Sequence, residues 1–180
     1  MADYHGTHGT CRSNAKNIMQ VGFRKGEGRL GSGVYFWAEG AYAEELAIGW
    51  YKQALKEGRY WNESDKNGVI IFATMSSDDK FVLDLESRHM NYQLASLAFK
   101  QKIDPNDSIM RKFLFGVFID GLERKLGIQF RIILMKVAPP DRTCCKYPIG
   151  LLGAPLCIVA RVTNCITIND IKPMEEIGNE

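Results

Sequence analysis

Two short segments near the start of the chain carry residue types suited to holding an aromatic ligand. His8-Gly9-Thr10 joins an imidazole, which hydrogen-bonds sugar hydroxyls while uncharged at neutral pH, to a glycine that lets a ligand approach the backbone. Gly31-Ser32-Gly33-Val34-Tyr35-Phe36 places small residues beside a tyrosine ring, which can stack on a flat heterocycle. The two segments predict a pocket for a ligand that contains a sugar and a heterocycle.

The elements that must position these segments alternate between strands and helices. The chain predicts a strand over 4–10 that runs into a turn, a helix over 13–21 and a Gly-rich loop over 25–32. A strand over 33–37 and an amphipathic helix over 41–56 follow. Further strands are predicted at 69–75, 81–85, 128–135, 156–162 and 165–171, helices at 91–101 and 107–125, and a loop at 139–155. This order predicts one α+β domain, 1–180, with an antiparallel or mixed sheet.

Composition fits a single folded domain, because 46% of the 180 residues are hydrophobic. The net charge of +2 lacks the overall basic character of a nucleic-acid-binding protein. Five cysteines without a CxxC pair or zinc-ligand spacing predict reduced thiols, no metal site and a cytoplasmic protein. No apolar run reaches the roughly 20 residues of a membrane helix, and no export signal is visible, so we expect no membrane contact.

The ordered set of segments resembles the diphtheria-toxin-like branch of the ADP-ribosyltransferases, which includes the poly(ADP-ribose) polymerases and their bacterial relatives. The set runs from His8-Gly9-Thr10 through Ile18 and Gly22-Phe23 to the 31–36 segment. Each segment alone is a weak signal, whereas their order and spacing are specific. The resemblance covers residues 4 to about 54. It implies a split β-sheet with flanking helices and NAD in a cleft between the halves.

The resemblance assigns roles to the residues of the NAD-binding segments. His8 and Tyr35 are the catalytic pair: His8 contacts the ribose on the adenine side and Tyr35 stacks on the nicotinamide ring. The backbone of Gly9 holds the nicotinamide amide, and Thr10 and Gly33 complete the NAD-binding set. No metal is implied.

The duplicated His-Gly-Thr leaves two candidates for the family's histidine. His5 follows an aromatic residue, as that histidine often does, whereas His8 has the family's ten-residue spacing to Ile18. The spacing favours His8, with His5 as the alternative.

Two positions depart from the family's pattern. The third signature residue, often Glu, falls on Leu156 when the segment 156–159 is aligned with the family's late strand. Glu there accompanies polymer formation, so Leu156 implies transfer of single ADP-ribose units, or an inactive relative. The family's second stacking tyrosine falls near Leu46, and Tyr42 is a substitute. An acceptor-activating carboxylate then comes from the target or from elsewhere in the chain, such as Glu39 or Glu44.

The function expected from this resemblance is mono-ADP-ribosyl transfer from NAD to a macromolecular acceptor, either protein or RNA/DNA. Single-domain members of this kind resemble intracellular toxins or defence effectors, so an antitoxin is an expected partner. An NAD glycohydrolase and a non-catalytic NAD-binding pseudo-enzyme are the alternatives. The related RNA 2′-phosphotransferases are richer in basic residues around their phosphate site than this chain.

Several other groups have simpler interpretations. Arg24, Lys25 and Arg29 form either a solvated loop or an anchor for NAD phosphates or a nucleic-acid backbone. Cys144-Cys145 lies near cations that lower a thiol pKa, but no base accompanies it, so a catalytic thiol is not expected. The charged run 57–66 is assigned to an exposed loop, and packing accounts for the remaining aromatic residues: Trp37, Trp50, Tyr51 and Trp61.

Overall fold

The computed structural model describes residues 1–104 and 106–176, which form an α+β fold around one mixed sheet of eight strands. The strands are β1 Ala2–Cys11, β2 Gly26–Gly28, β3 Gly31–Ala38, β4 Gly68–Ser77, β5 Val82–Asp84, β6 Ile132–Lys136, β7 Leu156–Ala160 and β8 Ile166–Pro173. The helices are α1 Arg12–Val21, α2 Ala43–Lys56, α3 Arg88–Lys100, α4 Ser108–Leu126 and α5 Ile149–Leu152. Single 3₁₀ turns cover Asp79–Phe81, Thr163–Cys165 and Met174–Glu176.

The sheet has the strand order β5-β6-β7-β3-β1-β4-β8, with β2 paired to β3. The β5–β6 pair is parallel and the other pairs are antiparallel. The predicted α+β class with a mixed sheet and flanking helices is therefore confirmed.

Strand β1 pairs very differently with its two neighbours. It pairs with β4 along its whole length, from Ala2 opposite Ser77 to Cys11 opposite Gly68. With β3 it pairs only at two positions, Gly6–Ala38 and Thr7–Trp37. The second half of β1 is therefore free of β3, and a gap opens between the two strands.

A hydrophobic core lies on each face of the sheet, because successive strand side chains point to opposite faces. On one face Trp37 and Val159 pack with residues of α2, α3 and α4. On the other face Phe36 and Ile158 pack with α1 and with Phe23, which follows it. The alternation along β3 therefore directs Tyr35 and Trp37 towards the helical layer and Phe36 towards α1.

The ends of α3 and α4 have clear local causes. The Ser87 hydroxyl accepts a hydrogen bond from the Met90 amide at the start of α3, and the Asp107 carboxylate accepts from the first amides of α4. Helix α4 ends at Leu126 and is capped by Gly127, which has a left-handed φ of 64°. The helix runs through Gly116 and Gly121, although glycine disfavours a helix interior, because its apolar residues pack on the core.

Several predicted boundaries were wrong. Strand β1 continues to Cys11 and passes directly into α1 without the expected turn, because β4 pairs with it to its end. The loop predicted over 25–32 instead forms a hairpin between β2 and β3. Strand β6 begins at Ile132 rather than at 128, because the Ile128 and Phe130 amides bond to Glu123 at the end of α4.

Two predicted loops also contain ordered structure. The loop predicted over 139–155 includes the short helix α5. The charged run 57–66 is mostly exposed, but Tyr60 is buried and stacks on Tyr51 at 5.7 Å between ring centroids.

In the part of the chain that the structure describes, no helix is long and apolar enough to cross a membrane. Over those same residues there is no group of three or more His, Cys, Asp or Glu side chains that could hold a metal ion. The five cysteines are free and buried.

Candidate functional site

The gap between β1 and β3 exposes the backbone of Gly9. On the β3 side of β1, the His5 carbonyl accepts a 2.8 Å hydrogen bond from the Glu39 amide. Backbone polar groups alternate sides along a strand, so those of Thr7 and Gly9 also point towards β3. The register with β3 ends at Thr7–Trp37, which leaves the Gly9 N–H and C=O directed into the gap.

The His8 side chain links the two strands where their pairing ends. Its Nδ1 lies 2.9 Å from the Tyr35 carbonyl oxygen. A carbonyl only accepts, so Nδ1 carries the proton and donates. Burial lowers the pKa of His8, and the imidazole is therefore neutral at pH 7. In this tautomer Nε2 has a free lone pair, so it is an acceptor for a hydroxyl.

Two phenylalanines hold the His8 ring in place. Phe23 meets it edge-on, with ring centroids 5.6 Å apart and planes at 86°, and Phe36 lies at 5.6 Å and 57°. Phe23 and Phe36 also contact each other, at 5.3 Å. Phe23 of the Gly22-Phe23 segment therefore packs against the imidazole and restricts its orientation.

Tyr35 is anchored by its hydroxyl to the β2–β3 turn. The hydroxyl donates a 2.7 Å hydrogen bond to the Gly31 carbonyl and accepts a 3.1 Å bond from the Leu30 amide. Burial raises the pKa of Tyr35 to about 12, so the phenol stays protonated and keeps both bonds. Gly28 lies against the hydroxyl end of the ring, where an added Cβ would be 2.3 Å from Cζ.

Two adjoining cavities flank these residues. The first, of about 330 Å³, extends from His8 and Tyr35 towards β7, and the second, of about 360 Å³, extends towards α1. Both have the size of small-ligand sites. They share the lining residues His8, Gly9, Glu27, Tyr35, Trp50 and Arg59. Together they form a continuous cleft with His8 and Tyr35 at its middle.

The structure brings five of the six predicted site residues to this cleft. His8, Gly9 and Tyr35 line both cavities, and Thr10 and Gly33 line the second. Both glycines also have a packing role. A Cβ on Gly9 would lie 1.9 Å from the Ala47 carbonyl oxygen of α2, and one on Gly33 would lie 2.6 Å from a Val159 methyl.

Leu156 is the predicted site residue that the structure does not bring to the cleft. It packs with the core on the α1 face of the sheet, whereas its neighbour Cys157 lines the first cavity. The alternation along β7 causes this difference, because Cys157 lies opposite Trp37 in the register. Burial raises the pKa of the Cys157 thiol to about 12, so it is protonated at neutral pH.

Neither candidate for the second stacking tyrosine lies in the cleft. Leu46 is buried in the core, and Tyr42 packs edge-on against Tyr147 at 5.5 Å. Trp50, one turn beyond Leu46 on α2, lines both cavities instead of serving only in packing. The Arg59 guanidinium lies 5.2 Å from the centre of the Trp50 ring.

The carboxylates considered from the sequence lie elsewhere. Glu39 and Glu44 line a separate cavity with His5, whose Nδ1 is 2.9 Å from the Thr74 hydroxyl. Among the described residues that line the cleft, Glu27 is the one carboxylate. Its Oε2 lies 3.2 Å from Lys112 Nζ of α4.

The basic cluster of residues 24–29 divides between the two cavities. Arg29 lines the first and Arg24 lines the second, whereas Lys25 is exposed. Burial and the nearby Arg111 guanidinium both lower the pKa of Arg29. A ligand anion beside Arg29 would offset this repulsion between like charges.

Cys144 and Cys145 are buried beneath α2, where a Cβ on Gly49 would clash with Cys145. Burial raises the pKa of Cys145, which is opposite to the effect considered from its neighbouring cations. This thiol is therefore a packing residue.

The cleft is also lined by residues that were not among the site residues predicted from the sequence, including Glu27, Trp50, Arg59 and Cys157. One available signal was helical spacing, since Trp50 lies four residues after Leu46 and thus on the same face of α2. Glu27 lies on the β2–β3 hairpin and Arg59 in the turn after α2, and the sequence offers no comparable signal for how either segment folds.

Searches with protein-family models, among curated proteins and among solved structures found no match to this chain.

Proposed function

We propose that this chain is an ADP-ribosyltransferase that transfers single ADP-ribose units from NAD to a macromolecular acceptor, with the cleft between β1 and β3 as its active site. The observation that carries the proposal is the arrangement of His8. Its Nδ1 is held by the Tyr35 carbonyl, and its Nε2 is left as an acceptor in the cleft. A neutral imidazole with a free Nε2 suits a ribose hydroxyl, which donates to it.

The nicotinamide end of NAD fits the same gap. The free N–H and C=O of Gly9 match the carbonyl and amino groups of a carboxamide. The Tyr35 ring, held at its hydroxyl end, supplies a flat surface for a cationic heterocycle. The second cavity, towards α1, then takes the adenosine end, with His8 between the two ends.

The chemistry follows from this placement. The bond between nicotinamide and the anomeric carbon breaks, its electron pair leaves with the now neutral nicotinamide, and the ribose becomes oxocarbenium-like. The acceptor's nucleophile attacks that carbon and loses its proton. Holding ribose and leaving group in a fixed orientation lowers the barrier without any change in the protonation of His8 or Tyr35.

Glu27 is our candidate for the group that takes the acceptor's proton or stabilises the cationic ribose. It lines both cavities, and Leu156, at the family's usual glutamate position, packs away from the cleft. A carboxylate on the β2–β3 hairpin can approach the anomeric carbon from the solvent side.

The test is transfer of label from adenylate-labelled NAD into a cell lysate, followed by protease or nuclease digestion. Before digestion, we expect wild type to transfer label to macromolecules of the lysate, and we expect Tyr35→Ala and His8→Ala to transfer none. His5→Ala, which changes the duplicate tripeptide outside the cleft, is the matched control and should keep its activity. Undiminished transfer by both cleft variants would overturn the proposal.

Two further readouts separate the alternatives. Fast nicotinamide release without any macromolecule would identify water as the acceptor and an NAD glycohydrolase. Calorimetric binding of NAD without nicotinamide release or transfer would identify a non-catalytic NAD-binding protein. Digestion of the labelled product names the acceptor class, either protein or nucleic acid.

A further inference from the structure

Helix α4 has two apolar faces. Its inner face packs into the core with residues Leu114, Phe115, Phe118 and Ile119. Its outer face carries Ile109, Phe113 and Val117, which are exposed by 79%, 62% and 38%. These three residues are four apart and therefore lie on one side of the helix. A helix that needed only to cover the sheet would carry polar residues there.

Helix α3 repeats this pattern. Its inner face packs against the same core through Met90, Leu94 and Leu97. Its outer face carries Tyr92 and Phe99, which are seven residues apart and exposed by 74% and 87%. Both helices bury their inner faces in one core, so their outer faces point away from the sheet together. We name the five exposed residues Tyr92, Phe99, Ile109, Phe113 and Val117 the α3–α4 outer face.

Exposed charges around the α3–α4 outer face are mostly positive. Within 88–126 the exposed cations are Arg88, Lys100, Lys102, Lys112, Arg124 and Lys125, against the exposed acids Asp104 and Asp120. The two other acids are engaged, because Asp107 accepts from the Ile109 amide and Glu123 pairs with Arg161. Lys112 is engaged as well, because its Nζ lies 3.2 Å from Glu27 Oε2, which leaves five cations against two acids. A partner that covers the apolar residues would therefore meet an excess of positive charge. We name these five cations the basic rim: Arg88, Lys100, Lys102, Arg124 and Lys125.

We propose that the α3–α4 outer face binds an acidic amphipathic helix of a partner protein. Clusters of exposed large apolar side chains are rare on monomeric proteins and mark interaction sites. A third amphipathic helix can pack its apolar face against two adjacent helices that expose apolar residues. The basic rim then favours a partner with acidic residues on both sides of that apolar face. This proposal does not depend on the reaction at the cleft.

Two other occupants fit less well. A second copy of this chain would bring two basic rims together, which is unfavourable. An anionic lipid surface would have to accept Asp120, which follows Val117 by three residues on the same side of α4. A partner helix can instead keep its acidic residues on its flanks, away from that carboxylate.

The test uses the full chain and two fluorescein-labelled peptides of about 20 residues, a length at which designed helices form. Both have leucine on one helical face, with glutamate on the other positions in one peptide and lysine in the second. Fluorescence anisotropy should detect binding of the glutamate peptide and at least about tenfold weaker binding of the lysine peptide. Phe113→Glu should weaken binding of the glutamate peptide by about tenfold or more.

The matched control is Trp61→Glu, which places the same charge on an exposed aromatic residue outside the face and should leave binding unchanged. Melting curves of both variants report whether they fold, and Tyr92→Glu repeats the test on α3. Equal binding of the two peptides, or an unaffected Phe113→Glu variant, would overturn the proposal. So would a dimer in sedimentation that Phe113→Glu dissociates, or binding of phosphatidylserine vesicles without binding of peptide.

Discussion

The His8 imidazole and the Tyr35 carbonyl form a 2.9 Å hydrogen bond across the point at which β1 and β3 cease to pair. The bond uses the backbone of Tyr35, not its ring. Substitution of the ring therefore leaves the orientation of His8 intact, and the two residues can be tested separately.

Stability should depend on pH through His8. Burial lowers its folded-state pKa below the ordinary 6.5, so the unfolded chain binds the proton more readily. The stability that neutral His8 contributes is complete above about pH 6.5 and is lost as the pH falls below it, by at most ~1.4 kcal/mol per pH unit. Urea unfolding at a series of pH values measures this loss.

The matched variants for this measurement are His8→Gln and His89→Gln. His8→Gln should lose much of the acid destabilisation, whereas His89→Gln, at an exposed position of α3, should keep it. A wild-type curve that stays parallel to that of His8→Gln between about pH 7.5 and 5.5 would contradict the assignment.

Tyr35→Phe should separate the two roles of the tyrosine. The variant keeps a stacking ring but removes the partner of the Leu30 amide and the donor to the Gly31 carbonyl. We expect about 1 kcal/mol lower stability and a higher KM for NAD, with residual transfer. Tyr35→Ala should abolish transfer. Steady-state kinetics and thermal unfolding measure both effects, and a Phe variant as inactive as Ala would contradict the separation.

Gly9→Ala should destabilise the fold more than its single methyl suggests. Its Cβ would meet the Ala47 carbonyl oxygen at 1.9 Å, which forces β1 and α2 apart at a cost of about 1–3 kcal/mol. The control is Gly116→Ala, where an added Cβ meets nothing within 4 Å and α4 should gain about 1 kcal/mol. Equal denaturation midpoints for the two variants would count against this packing.

Glu27→Gln should lower kcat for transfer with little change in KM for NAD, if its carboxylate acts on the acceptor or on the developing ribose cation. Glu44→Gln, in the separate cavity beside His5, is the control and should leave kcat unchanged. Rescue of Glu27→Gln activity by Glu27→Asp would agree with a carboxylate role. A Glu27→Gln enzyme with wild-type kcat would remove Glu27 from the chemistry.

Local pattern in the sequence was sufficient for most of the fold. Apolar spacing predicted α2 and β4, and a run of β-branched and aromatic residues predicted β3, because these elements bury one face or both. The hairpin at Gly26–Gly28 was missed, since it depends on pairing with β3 and on the Tyr35 hydroxyl bonding its turn. Such contacts join residues that no local pattern connects.

The sequence also predicted which residues of β1 and β3 lie close together. His8, Gly9 and Tyr35 meet as their ordered spacing suggested, because the two strands that carry them are neighbours in the sheet. The alignment with the family chose Leu156, one residue before Cys157, which is the residue that lines the cavity. A shift of one residue along β7 exchanges the two faces of the sheet, and alignment by type alone does not fix that register.

Helix α2 contacts β1 at two points beside the cleft. Gly9, which has no side chain, packs closely against Ala47, and the Thr7 hydroxyl donates a hydrogen bond to the Ala43 carbonyl. Lifting the helix would therefore also remove Trp50 from the cleft wall. Loss of that wall would weaken ligand binding, so a ligand in the cleft should stabilise the closed position of α2. A bound ligand should accordingly slow amide hydrogen exchange along α2, including at residues that it never touches.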